Sequence, residues 1–215
     1  MDELIAKKID NFFIQHKAQT YKKGEILIRA DDNPTGIFYL KEGIVKKYAI
    51  SKKGDELTVN IFKPISFFPM SWAINGSPNA YFYEAVTDLK IWKASKESVN
   101  SFIKENPDVL YDLLSRVYKG TEGMLTRITY LMAGNAYARL LTEIVIHAKR
   151  FGKVGENGVE IKISEKDLSS QSGMTRETVS REIKVLKDKG HATFSKNILV
   201  IKSIEKLETE LLEGV

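Results

Sequence analysis

Residues 164–186 carry the densest chemistry of the chain: Ser-Glu-Lys-Asp-Leu-Ser-Ser-Gln-Ser-Gly-Met-Thr-Arg-Glu-Thr-Val-Ser-Arg-Glu-Ile-Lys-Val-Leu. Ser164 with Asp167 three residues on has the form of a capping box, which predicts a helix start. Gly173 supplies the backbone freedom of a sharp turn. Thr175 is a natural N-cap for a second helix. Val179, Ile183 and Leu186 then fall at i, i+4 and i+7, one inward apolar stripe. The opposite face presents Arg176, Glu177, Ser180, Arg181 and Lys184. Arginine matches guanine O6/N7 with two donors, and glutamate accepts from cytosine N4. The pattern predicts a helix-turn-helix whose second helix presents its N-terminal residues to base edges in a major groove.

The elements that must position this helix follow on both sides. Ala136–Phe151 reads as an amphipathic helix with Leu140, Leu141, Ile144, Val145 and Ala148 inward, and 152–158 as a loop. Val159, Ile161 and Ile163 alternate with Glu160 and Lys162, a short strand. Phe194 to Ile201 reads as a hairpin turning near Ser195-Lys196-Asn197, and residues 203–215 as a terminal amphipathic helix. Strand, two helices and hairpin describe a winged helix. Upstream, Asn106-Pro107-Asp108 predicts a helix start, with Asn106 as N-cap. Leu110, Leu114, Val117, Thr121, Met124, Ile128 and Leu131 follow at alternating spacings of four and three, a coiled-coil seam. A second stripe, Leu113, Leu125 and Met132, is expected to pack on the preceding domain. Residues 96–105 form a shorter helix. From Gly24 to about Lys93, short runs rich in Ile, Val, Tyr and Phe alternate with turn signals, which predicts an antiparallel barrel or sandwich preceded by a short helix.

Composition narrows the function classes. The chain has 215 residues, no cysteine, three histidines and a formal net charge of +5. Disulfides, thiolate metal sites and a cysteine-ligated iron–sulfur cluster are excluded, and no metal site is expected. The sparse histidines and turn-bound carboxylates leave general acid–base chemistry without its usual parts, so no catalytic residues are assigned. No apolar run approaches a membrane span and no signal peptide opens the chain, so a cytoplasmic location without a membrane partner is expected. The positive charge favours a polyanionic partner.

The order β-roll, long helix, winged helix-turn-helix resembles the cAMP receptor protein/fumarate-nitrate reductase regulator (CRP/FNR) family of bacterial transcription factors over essentially the whole chain. Thr175-Arg176-Glu177-Thr178-Val179-Ser180-Arg181 is very close to the family's recognition-helix signature, and Asn106-Pro107-Asp108 matches the head of its dimer helix. The fold class implied is α+β: an N-terminal, cyclic-nucleotide-binding-like antiparallel β-roll (a double-stranded β-helix) over 1–105, a dimerisation helix over 106–134 and a winged helix-turn-helix over 135–215, with a hinge at Asn135. The resemblance implies base reading by Arg176, Glu177 and Arg181. Phosphate contacts are expected from Thr175, Ser180, Lys184 and Lys196. Double-stranded DNA with a palindromic operator, a second copy of the chain and RNA polymerase are the implied partners.

The sensor region departs from the family pattern. The Gly-Glu pair that meets the ribose of a cyclic nucleotide falls on Phe68-Pro69, and the Arg-Ser or Arg-Thr pair on the phosphate falls on Asn79-Ala80. The adenine-facing helix positions fall on Met124 and Leu125. Without the arginine fork, cAMP is not expected to bind, and no ligand pair for haem is evident. The aromatic residues nearby, Phe67, Phe68, Met70, Trp72, Tyr81, Phe82 and Tyr83, either fill the barrel, leaving DNA binding constitutive, or line a pocket for an apolar or aromatic effector. His191-Ala192 stands where the family has two apolar residues, which predicts a looser wing. Two rival readings remain at this level: a small-molecule-binding β-barrel protein with incidental basic helices, and a nonspecific architectural DNA binder.

Overall fold

The structure, a computed structural model, describes residues 2–213. It divides into two compact units, one up to Val117 and one from Tyr118. In the first, α1 (Glu3–Phe13), β1 (Lys17–Tyr21), β2 (Ile26–Ile28), β3 (Ile37–Glu42), β4 (Val45–Ile50), β5 (Glu56–Phe62), β6 (Ser66–Phe68), α2 (Met70–Asn75), β7 (Phe82–Ala85), β8 (Leu89–Ala94) and α3 (Lys96–Glu105) follow in order, and α4 (Pro107–Ala133) begins. The strands form two four-stranded antiparallel sheets, ordered β1-β8-β3-β6 and β2-β7-β4-β5. Their facing sides bury Phe38, Leu40, Val45, Phe68, Tyr83, Ala85 and Ile91 as one core. The first sheet's other side packs on α1 and α3 through Ile9, Phe13, Tyr39, Trp92, Phe102 and Ile103. Because β3 is covered on both faces, Ile37-Phe38-Tyr39-Leu40 is a continuous apolar run rather than an alternating one.

The second unit holds the remainder of α4, then α5 (Ala136–Phe151), β9 (Lys153–Gly155), β10 (Gly158–Lys162), α6 (Glu165–Ser172), α7 (Arg176–Asp188), β11 (Ala192–Ser195), β12 (Ile198–Ile201) and α8 (Ile204–Glu213). A sheet ordered β11-β12-β10-β9 and the helices enclose one core of Leu140, Leu141, Ile144, Ile161, Leu168, Val179, Ile183, Leu186, Leu199 and Leu207. Every residue expected to face inward from α5 is buried.

Several expectations are corrected. The stretch 152–158 is not wholly a loop, because Lys153–Gly155 pairs with β10. The Asn106 side chain does not cap α4. Its Nδ2 donates to the Phe102 carbonyl at 2.7 Å, so it closes α3, while its own carbonyl accepts from Leu110 N. Of the second stripe on α4, Leu113 packs on the first unit's core, but Leu125 and Met132 are exposed. The wing is not loosened: Ala192 is buried, His191 N donates to the Leu186 carbonyl, and His191 Nε2 lies 2.9 Å from Glu210 Oε2.

Candidate nucleic-acid interface and sensor site

The helix-turn-helix is built by local capping. Ser164 Oγ accepts from Asp167 N at 3.1 Å and Asp167 Oδ2 accepts from Ser164 N at 3.0 Å, the reciprocal pair that satisfies the first amides of α6. Gly173 ends α6 in the left-handed region, φ 65°, where a side chain would be strained. Thr175 Oγ1 accepts from Thr178 N and opens α7. Val179, Ile183 and Leu186 are buried, fixing the rotation of α7 about its axis. That rotation leaves Arg176, Glu177, Ser180, Arg181 and Lys184 together on the solvent side, as the sequence predicts.

The electrostatics of this face suit base edges. Hydrogen bonds from its own backbone amide and from Thr175, with Arg176 nearby, hold the Glu177 carboxyl below the usual carboxylate range, so it is an ionised acceptor. Arg181 Nε is tied to Glu182 Oε1 at 3.0 Å, which leaves its two terminal nitrogens free to fork onto a base. Glu182 itself lies only 9% exposed, a feature the sequence does not signal on a highly charged helix. Lys196 and Asn197 both take positive φ, 49° and 62°, as the two central residues of the turn joining β11 and β12, so Lys196 stands at the exposed tip of the wing.

Behind this surface lies an ion pair that sequence reasoning missed. Arg127 Nε and Nη2 donate to Glu143 Oε1 and Oε2 at 2.7 and 2.6 Å, joining α4 to α5. Burial pushes the Glu143 carboxyl up, opposed by Arg127 and Arg150. One turn further along α5, burial pushes the His147 ring down to about 4, so it is neutral, with Gln171 as a hydrogen-bond partner. Between α4 and α5, Asn135 caps α5 through Oδ1, which accepts from Ala138 N at 2.9 Å.

On α4 the seam residues Leu110, Leu114, Val117, Met124, Ile128 and Leu131 are 44–62% exposed, and Thr121 is exposed with them. Such a stripe of large apolar side chains on a 27-residue helix is characteristic of a face that meets a partner.

Of the residues expected to fall at the sensor positions, Phe68, Pro69 and Asn79 are buried, while Ala80, Met124 and Leu125 are exposed. Phe68 is 1% exposed and its ring stacks against Phe62 and Tyr83 at 4.6 and 5.2 Å. Pro69 is buried and Ala80 is exposed. Asn79 is a clasp: its Nδ2 donates to the carbonyls of Arg29 and Tyr81, and its Oδ1 accepts from Tyr81 N. Met124 and Leu125 are more than half exposed on α4. Of the aromatic set, Phe67, Phe68 and Tyr83 belong to the core. Among the described residues, no three His, Cys, Asp or Glu side chains group as a metal site, and no helix is long and apolar enough to cross a membrane.

Comparison with known proteins matches the same two regions. Residues 18–106 match the family model of the cyclic nucleotide-binding domain, and residues 137–210 that of the Crp-like helix-turn-helix domain. A global nitrogen regulator of Nostoc sp. is 26% identical over 191 residues, 85% of this chain and 84% of its own. The cAMP-activated global transcriptional regulator CRP of Haemophilus influenzae is 24% identical over 184 residues, covering 84% and 81%. The solved structure of a CRP/FNR-family transcriptional regulator from Thermus thermophilus shares the fold with a TM-score of 0.73 at 22% identity, over 92% of this chain and 98% of that one. With a cyclic-nucleotide-binding-like roll, a long helix and a Crp-like helix-turn-helix in this order, the chain belongs to the CRP/FNR family of transcriptional regulators, which are not enzymes.

Proposed function

We propose that this protein is a homodimeric, sequence-specific DNA-binding regulator whose sensor domain has lost the cyclic-nucleotide contacts. One observation carries the reading: the capped and anchored helix α7, which holds Arg176, Glu177 and Arg181 on one exposed face. In this reading those three residues read bases, while Thr175, Ser180, Lys184 and Lys196 meet phosphates. The α4 stripe from Leu110 to Leu131 forms the dimer seam, residues 1–105 serve as sensor, and Asn135 is the hinge to the DNA-binding domain. RNA polymerase is the expected partner at the promoter. The loss of nucleotide chemistry is supported by the sensor positions: Phe68 and Asn79 are committed to the core and to backbone carbonyls. Phosphate recognition needs a fork of donors there.

The test is selection of bound duplexes from a random library by the purified protein without added ligand. The expected product is a palindrome with half-sites about 34 Å apart, one helical turn. Selected duplex should be preferred over random duplex by roughly 10³ or more. A non-palindromic product, or no enrichment, overturns the assignment.

A further inference from the structure

The inner face of α7 carries a carboxylate. Glu182 lies three residues after Val179 and four before Leu186, so helix geometry stacks it with them on one face. Val179 and Leu186 are wholly buried, and the Glu182 side chain is 12% exposed. The rotation that anchors α7 therefore also takes this carboxylate out of water. An apolar side chain of similar volume would serve the anchor as well or better, because the attraction a buried charge gains from its partner does little more than offset its lost hydration. The fold by itself gives no reason for an acid at this position.

Among the described residues, Arg181 is the one cation within 4 Å of the Glu182 carboxylate. Adjacent positions on a helix diverge by about 100°, so side chains at i and i+1 do not ordinarily meet. Here Arg181 bends back along α7, and its Nε donates to Glu182 Oε1 at 3.0 Å. The Arg181 side chain is otherwise 68% exposed, and an ion pair open to water on one side adds little to stability. Its effect falls instead on the arginine. The nitrogen nearest the stem is held from the buried side, so the stem is ordered before DNA arrives. Ordering one long side chain on binding costs roughly two- to tenfold in affinity, and the tie meets part of that cost in the free protein. The carboxylate also offsets the charge of the guanidinium, which weakens its pull on the phosphates of any sequence. Towards α5, burial, Glu210 and Glu182 together make the Tyr137 hydroxyl hold its proton more tightly than usual, which sets the acid on the packed side of α7.

We infer that Glu182 is a positioning residue for DNA recognition: it holds the Arg181 guanidinium in one pose and damps its attraction to phosphates, and so raises sequence discrimination without touching DNA. The inference rests on the reading of Arg181 as a base-reading residue.

The test is competition binding of the full-length protein to its selected operator, to every single-base-pair variant of that operator and to random duplex. Arg181→Ala first identifies the base pair that Arg181 reads. Glu182→Met should lower discrimination at that same base pair by about three- to tenfold, with discrimination elsewhere and affinity for random duplex within about threefold of the parent or random duplex bound more tightly. Glu182→Gln, whose side-chain oxygen still accepts from Nε, should stay within about threefold of the parent at that base pair. Arg181→Ala/Glu182→Met should match Arg181→Ala alone, since the acid acts through the arginine. The urea midpoint of Glu182→Met should equal or exceed that of the parent, which separates the effect from loss of folding. The inference is overturned if Glu182→Met leaves discrimination intact where Arg181→Ala abolishes it, if it weakens all duplexes alike, or if it lowers discrimination further in the Arg181→Ala background. An Arg181→Ala variant with no effect confined to one base pair overturns the base-reading assignment, and the positioning role with it.

Discussion

Removing Arg127 strands a buried carboxylate. Glu143 is 5% exposed at its side chain and takes both its hydrogen bonds to the guanidinium at 2.6–2.7 Å. In Arg127→Met the carboxylate must stay ionised with only the Arg150 charge nearby and no forked partner, take up a proton, or admit water by loosening α5 from α4. Breaking a buried pair in this way costs about 3–5 kcal/mol. Replacing both members with apolar groups of similar volume is often neutral, so Arg127→Met/Glu143→Leu should recover most of the loss, with a coupling energy of about 2–3 kcal/mol. The readout must be specific to the second unit. Trp72 and Trp92, the two tryptophans of the chain, both lie in the first unit, so indole fluorescence follows the wrong part of the molecule. Urea unfolding followed by far-ultraviolet circular dichroism, with hydrogen exchange over Ala136–Phe151, reports the right one. A cost below about 1 kcal/mol for Arg127→Met, with additive effects in the double mutant, refutes the reasoning.

The His147 ring, held near 4 by burial, makes the second unit sensitive to acid. The unfolded chain takes the proton near pH 6.5 and the folded one only near 4, so stability is complete above the higher value and falls by up to about 3 kcal/mol as pH drops to the lower; His147→Leu should flatten this dependence in urea titrations at stepped pH. Arg181→Ala should cost about 1–3 kcal/mol of operator binding and relax preference at one base pair, measured by competition among single-base operator variants. Lys184→Ala should instead weaken all sequences alike and reduce the salt slope by about one. Met124→Glu or Ile128→Glu should yield monomers that bind operator poorly, and an undisturbed dimer in sedimentation removes the seam from α4. Calorimetry with cAMP up to about millimolar should show no stoichiometric binding, and a micromolar isotherm contradicts the loss of nucleotide contacts.

The elements legible in the sequence are those written in short-range chemistry. Ser164 and Asp167 are three residues apart, Gly173 and Thr175 two, and each makes its turn or cap with atoms of the same segment. The bounds of α3 and α5 fall where their caps and periodicity put them, and Lys196-Asn197 mark the wing. Weakly patterned pieces were not legible: β1, whose Lys-Ala-Gln-Thr-Tyr sits at a sheet edge, the three-residue β6 and β9, and the short α2. Their hydrogen bonds are made to strands distant in sequence, as with β1 to β8, so no local period announces them.

The sequence by itself determines the two helices of the helix-turn-helix, their apolar anchor and their charged face, because helix periodicity places side chains on faces without knowledge of the rest of the fold. Tertiary structure alone decides which polar residues leave water. Arg127 and Glu143 are sixteen positions apart on different helices, and nothing in either segment shows that they meet. Asn106 could close the helix before it or open the one after, and only the observed bond to Phe102 settles the direction. The orientation of Lys47 follows from the pairing register of β4, which shifts between Lys47 and Tyr48. One residue of slip exchanges the two faces of a strand, so whether that ammonium points to solvent or to the interior of the roll is fixed by pairing with other strands, not by alternation along its own.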